Sequence, residues 1–128
     1  MLVVIDTNIL VSSLWSKSGT PAKIMSLVIS GRLVPCYDYR IICEYKEVLS
    51  SPKFKFLPGE IRALLDFLIH NGHSVIAEPL NTDFVDEADK KFYEVAKHCE
   101  ATLITGNIKH FPNDSFIMTA SDFLEKYL

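Results

Sequence analysis

Asp6 closes the run Leu2-Val3-Val4-Ile5. A short, β-branched apolar run reads as a buried parallel strand, and here it stops at a carboxylate. In open α/β sheets the ligand crevice lies just beyond the carboxyl ends of the strands, so Asp6 is aimed at a site. Two further acids sit at the margin of a buried helix face. Ile41, Ile42, Tyr45, Val48 and Leu49 make one apolar stripe at ~100° per residue, with Glu44 about 40° beyond its edge and Glu47 about 100° beyond it. Glu44 therefore borders the core and Glu47 points to water. On a later helix, Ala88, Phe92, Val95, Ala96 and Cys99 form the stripe, and Asp89 lies about 20° from its edge. Asp86 falls on or before the first turn and suits N-capping or the helix dipole. A second strand end, Leu103-Ile104-Thr105-Gly106-Asn107, offers two neutral oxygens around a glycine that allows a sharp turn.

Three carboxylates in one crevice repel one another unless a cation sits between them. Hard oxygen donors that leave room for water suit Mg²⁺ or Mn²⁺, and no histidine or cysteine cluster points to zinc. Such an ion can clamp a phosphodiester and activate water for in-line attack. Taken singly, Glu44 also reads as a helix-flank charge with a packed stem, and Thr105-Gly106-Asn107 as an ordinary turn.

The elements that must position these groups alternate along the chain. Strands are expected over Leu2–Ile5, Leu33–Tyr37, Ser74–Ala77, Thr102–Thr105 and Phe116–Met118. Helices are expected over Thr7–Leu14, from the Thr20 cap and Pro21 to Ser30, from the Asp38 cap to Leu49, from Pro58 to Asn71, over Glu87–Cys99, and over Ser121–Tyr127. This alternation predicts a three-layer α/β/α sandwich around a mostly parallel sheet. No repeat or linker divides the 128 residues, so residues 1–128 are expected to form one domain.

No apolar run approaches the ~20 residues of a membrane span, so no membrane association is expected. The N-terminus enters a strand without a positively charged leader, and Cys36, Cys43 and Cys99 read as buried, reduced thiols. Both observations favour the cytoplasm. The net charge of −3 argues against wholesale nonspecific nucleic-acid binding but not against an enzyme whose own carboxylates hold cations. Lys17, Lys53, Lys55, Lys109 and His110 fall in loops beside the acidic elements and are candidate phosphate contacts, Lys109-His110 being the best placed.

Taken in order, four segments resemble the PIN domain family of metal-dependent nucleases, most of which cut RNA. They are Val3-Val4-Ile5-Asp6-Thr7-Asn8-Ile9-Leu10-Val11-Ser12; Glu44-Tyr45-Lys46-Glu47-Val48-Leu49 with Ser51-Pro52-Lys53-Phe54; Asp86-Glu87-Ala88-Asp89-Lys90-Lys91-Phe92; and Thr105-Gly106-Asn107-Ile108-Lys109-His110-Phe111-Pro112. The likeness is greatest to the prokaryotic subgroup grouped with toxin components of toxin–antitoxin systems. The resemblance implies Asp6, Glu44 and Asp89 as metal ligands, with Asn107 completing the catalytic set and Asn8 and Thr105 positioning groups around it. It also implies an RNA substrate, an antitoxin partner and a homodimer. The family commonly carries an aspartate where this chain has Asn107, which keeps an oxygen but removes a charge and weakens any second ion. Asp86 or Asp114 are the available compensating acids.

Two other readings stand beside this one. A PIN-fold module that binds RNA or protein without cutting would account for Asn107. A phosphotransferase using Asp6 as nucleophile is disfavoured, because Asp6-Thr7-Asn8 lacks the second aspartate two residues on that haloacid-dehalogenase-type phosphatases need.

Overall fold

The structure is a computed structural model that describes all residues, Met1–Leu128. Its strands are β1 (Leu2–Ile5), β2 (Val34–Tyr37), β3 (His73–Ser74), β4 (Thr102–Ile104) and β5 (Ile117–Met118). The helices are α1 (Thr7–Trp15), α2 (Thr20–Ile29), α3 (Tyr39–Leu49), α4 (Pro58–Asn71), α5 (Lys90–Cys99) and α6 (Ala120–Tyr127), with 3₁₀ turns at Glu87–Asp89 and Ile108–His110. All strand pairs are parallel, in the order β3-β2-β1-β4-β5. The chain thus builds outward from β1 in one direction and then returns to build outward in the other. The reversal falls between β1 and β4, where a doubly wound sheet opens its crevice.

Six helices flank this sheet. Helix α5 packs on β1, β2 and β4 and meets α3, while α2 packs against both α1 and α6. One apolar core of 30 buried residues joins the layers, and Val3, Val4, Leu103 and Ile104 at its centre have no exposed surface. Such complete burial explains why the two central strands are uninterrupted apolar runs. Local signals place the helix starts. Asp38 accepts from the Ile41 amide at 3.1 Å to open α3, and the Thr119 hydroxyl accepts from the Asp122 amide at 3.1 Å to open α6. No helix is long and apolar enough to cross a membrane.

Beyond shifts of one residue at the ends of several elements, four details differ from the sequence expectation. Strand β3 covers His73–Ser74 rather than Ser74–Ala77. Its partner β2 ends at Tyr37, whose carbonyl takes the Val75 amide at 2.9 Å, and the chain then turns into α3. Nothing remains for the next residues to pair with, and Ile76 is 92% exposed. The expected helix over Glu87–Cys99 begins as a 3₁₀ turn, so its α-helical part starts at Lys90 and Ala88 faces solvent instead of the core. Helix α2 is capped by Gly19, one residue earlier than expected, with Thr20 as its first residue. Of the cysteines, Cys36 is buried and Cys99 half-buried, but Cys43 lies on the exposed side of α3.

Gly72 ends α4 where the chain passes closely over β2. A Cβ there would collide with the Leu68 carbonyl and lie 2.7 Å from the Pro35 carbonyl and 2.8 Å from the Tyr37 ring. Two of these neighbours are backbone and cannot swing aside. Gly72→Ala should therefore lower stability by about 1–3 kcal/mol, the range for overpacking, as measured by urea denaturation. An unchanged midpoint would show that α4 can lift away from the sheet at little cost.

Candidate active site

The Asp6 amide donates to the Ile104 carbonyl at 3.0 Å, which aligns the ends of β1 and β4. The Asp6 carbonyl accepts from the Ile9 amide at 2.9 Å and so starts α1. These main-chain bonds leave the side chain little freedom, and it is only 4% exposed. The Thr105 hydroxyl donates to Asp6 Oδ2 at 2.7 Å, and the Asn107 amide donates in turn to Thr105 Oγ1 at 2.9 Å. Asn8 bridges the same two strand ends, with its Oδ1 accepting from the Gly106 amide at 3.0 Å and its Nδ2 donating to Asp6 Oδ2 at 3.4 Å. A Cβ on Gly106 would stand 3.2 Å from Asn8 Oδ1, so glycine is what lets this turn approach so closely. Asp6, Asn8, Thr105 and Asn107 thus form one connected polar network at the switch point.

Helix α3 is tied to the same place. Tyr45, buried, donates its hydroxyl to the Ile5 carbonyl, and Thr7 donates its hydroxyl to Glu44 Oε2. Glu44 is half-buried and Glu47 exposed. The other Glu44 oxygen meets the Lys91 ammonium at 2.6 Å, which joins α3 to α5. Asp89, half-buried at the start of α5, meets Nδ1 of His110 at 3.1 Å, so the turn after β4 folds back onto the second acidic helix.

These carboxylates feel one another. Burial pushes the Asp6 carboxyl from its ordinary 3.8 up to about 6; the Thr105 hydroxyl and the Thr7 amide hold it down, while the charges of Asp89 and Glu44 add to the rise. Asp89 is also raised, by burial first and by the neighbouring charges of Asp86 and Glu44, against the lowering effect of His110. The Tyr45 hydroxyl stays protonated far above its usual range through burial and the same two acids, Asp6 and Glu44.

No three acidic, histidine or cysteine side chains are drawn closely enough together to hold an ion, since each carboxylate is turned onto a neighbouring donor. The chemistry of the donor set nevertheless suits a hard divalent cation. The charges of Asp89 and Glu44, from two other elements, add to the cost of ionising the buried Asp6, and that is a deficit a cation relieves.

The remaining sequence candidates fall in different places. The exposed Asn107 lines a cavity of about 300 Å³ together with Asp6, Thr7, Asn8 and Phe54. Lys109 is exposed on the 3₁₀ turn beside His110, and Lys17, Lys53 and Lys55 are exposed on loops. Asp86 caps the Glu87–Asp89 turn by accepting from the Ala88 amide at 3.0 Å. Asp114 accepts from the Tyr93 hydroxyl at 2.7 Å and serves to pin that loop. Three contributors were not anticipated: Thr7, Lys91 and Glu94. Glu94 is buried on α5 and accepts from Arg40 and from the Leu80 amide, both at 2.7 Å, which clamps the connection into α5. None has a local signature, since each is defined by a partner from another element.

An all-parallel β3-β2-β1-β4-β5 sheet with a polar site built around a buried carboxylate at its switch point defines a doubly wound α/β protein. The chain belongs to the PIN domain family, whose profile matches residues 2–109, and the family generally has nuclease activity. An uncharacterized protein of Methanocaldococcus jannaschii is 38% identical over 109 residues, covering 82% of this chain and 70% of its own length. No solved structure matches the chain.

The elevated Asp6 value fixes a pH signature. Because the folded value lies above the unfolded one, the stabilising contribution is complete below about pH 4 and is lost as pH rises through about 6. At pH 7 the buried charge should cost the metal-free protein on the order of 2–3 kcal/mol. Asp6→Asn keeps an acceptor for Thr105 and should therefore raise the melting temperature at pH 7.5, with the gain shrinking toward zero near pH 4. Thermal denaturation of both proteins across that range in EDTA checks this, and a destabilised variant at pH 7.5 would contradict it.

Proposed function

We propose that the protein is a Mg²⁺- or Mn²⁺-dependent endoribonuclease, acting as the toxin component of a toxin–antitoxin pair. The observation that carries the reading is a buried Asp6 at the switch point of the sheet, tied to Thr105 and Asn8 and close enough to Asp89 and Glu44 to feel the charge of both. The toxin role and the antitoxin partner rest on the resemblance alone, as does a homodimer.

In this reading Asp6, Glu44 and Asp89 would hold the ion, with Asn107 adding a neutral oxygen. When bound, the ion supplies a clamp on the phosphodiester and an activated water for in-line attack. The chain's own residues do the positioning. Thr105 and Asn8 orient the Asp6 carboxylate, and Thr7 orients that of Glu44. In the protein as it stands Lys91 pairs with Glu44, and the His110 ring meets Asp89. Lys91 has the charge, and His110 a ring N–H, to turn onto phosphate oxygens once those carboxylates take another partner, and Lys109 lies next to His110 on the same turn.

A second reading, a PIN-fold module that binds RNA or protein without cutting, is favoured by one specific feature: every carboxylate of the set already has a donor, and the fourth position is the uncharged Asn107.

Under the nuclease reading, wild-type protein with Mn²⁺ should cleave unstructured RNA, EDTA should stop it, and Asp6→Asn should reduce the rate by at least about a hundredfold. Asn107→Asp should hold or raise the rate. Gel-resolved cleavage by protein purified free of host nuclease checks this. Equal activity in Asp6→Asn sinks the nuclease reading, and RNA binding with no product in Mn²⁺ favours the binding module.

A further inference from the structure

Trp15, the one tryptophan of the chain, ends α1 with 63% of its surface exposed. It is not isolated. Its ring meets Phe54 edge-on at 5.1 Å and Phe56 at 6.3 Å, and Phe54 and Phe56 stack on each other at 5.6 Å with only 14° between their planes. Both phenylalanines pack against the core, so the cluster is anchored from beneath while its outermost ring faces water. Lys55, between the two stacked rings, holds a φ of 57°, in the left-handed region that side-chain-bearing residues avoid.

Two observations say what such a surface would meet. Phe54 lines the cavity of about 300 Å³ that also contains Asp6, Asn8 and Asn107, so the aromatic cluster continues the wall of the acidic crevice outward. The rings are also flanked by cations: the Lys53 ammonium lies 5.0 Å from the centre of the Phe54 ring, and Lys17 and Lys55 are exposed within two residues of Trp15 and Phe56 respectively. Aromatic faces interleaved with lysines beside a phosphodiester-cutting centre suit a strand that offers π-faces and phosphates together. A base can lie on Trp15 only when it is not paired within a helix.

We propose that Trp15, backed by Phe54 and Phe56, is a stacking platform for an unpaired base of the RNA strand where that strand leaves the crevice past Phe54. The proposal rests on the nuclease reading for what happens in the crevice, but base stacking is measurable without cleavage. Trp15 emission reports on its own site because no other tryptophan is present.

The test titrates Asp6→Asn protein with a short unstructured oligoribonucleotide, following tryptophan emission and the anisotropy of a labelled strand. Emission should be quenched by the single strand and not by a duplex of the same sequence. Adding Trp15→Ala should weaken binding roughly 5- to 150-fold, the range for loss of one stacked base, and Trp15→Phe should recover most of it. Circular dichroism confirms that the variants fold. RNA that binds without changing Trp15 emission, and equally tightly to Trp15→Ala, would overturn the proposal. So would emission that depends on protein concentration and ignores RNA, which would give the face to a second copy of the chain. Cleavage by wild type is scored separately. Loss of cleavage in Asp6→Asn with no rise in KM in Trp15→Ala removes the platform and keeps the nuclease, whereas quenching by RNA with no cleavage removes the nuclease and keeps the platform.

Discussion

The structure turns on one electrostatic constraint: a carboxylate held almost entirely out of water at the end of the central strand. Asp6 cannot retreat to solvent, because its amide is committed to β4 and its carbonyl to the first turn of α1. Burial alone would disfavour its charge, and the nearby Asp89 and Glu44 disfavour it further. Only the hydroxyl of Thr105 and the amide of Thr7 act in the opposite direction. A fold optimised for stability would place an apolar residue there. The persistence of such a cost at the topological switch point is the physical reason to assign this place to function.

Much of the surrounding architecture serves to hold that arrangement. Tyr45 ties α3 to the last carbonyl of β1, and the next residue back, Glu44, is thereby set beside Thr7. The Arg40, Asp38 and Glu94 bridge locks α3 to α5, and Lys91 and His110 close the remaining gaps between acidic and basic side chains. The strand ends of the crevice are held by main-chain hydrogen bonds, while its acids are held by side chains. Its acids are satisfied by flexible or titratable partners rather than by main-chain amides alone. Asn107 lines the same cavity as Asp6 and adds a carboxamide there without a second negative charge beside that buried acid.

The layer architecture was legible because its determinants are local. β1 and β4 are short apolar runs with completely buried centres, and the stripes on α3 and α4 keep helical spacing. The edge of the sheet was less legible. Where β3 stops depends on where β2 stops, a fact fixed by Asp38 starting α3 more than thirty residues earlier. Ala88 misled for a similar reason, since the stripe assumed an α-helix where the Asp86 cap opens a 3₁₀ turn. At the site, Asp6 and the Thr105 turn could be read from strand ends. The contacts of Glu44 with Thr7 and Lys91, and of Asp89 with His110, could not, because nothing in a local pattern says which distant side chain will arrive opposite. The Trp15 cluster was hidden in the same way, its members lying on α1 and on a loop nearly forty residues later.

If the buried charge of Asp6 is there to meet a cation, that cation should bind without RNA and without turnover. Calorimetric titration of the RNA-free protein with Mn²⁺ at pH 7.5, alongside Asp6→Asn, measures this directly. The account predicts saturable binding by the wild type that disappears in Asp6→Asn. Binding of equal strength in both proteins, or none in the wild type, would contradict it.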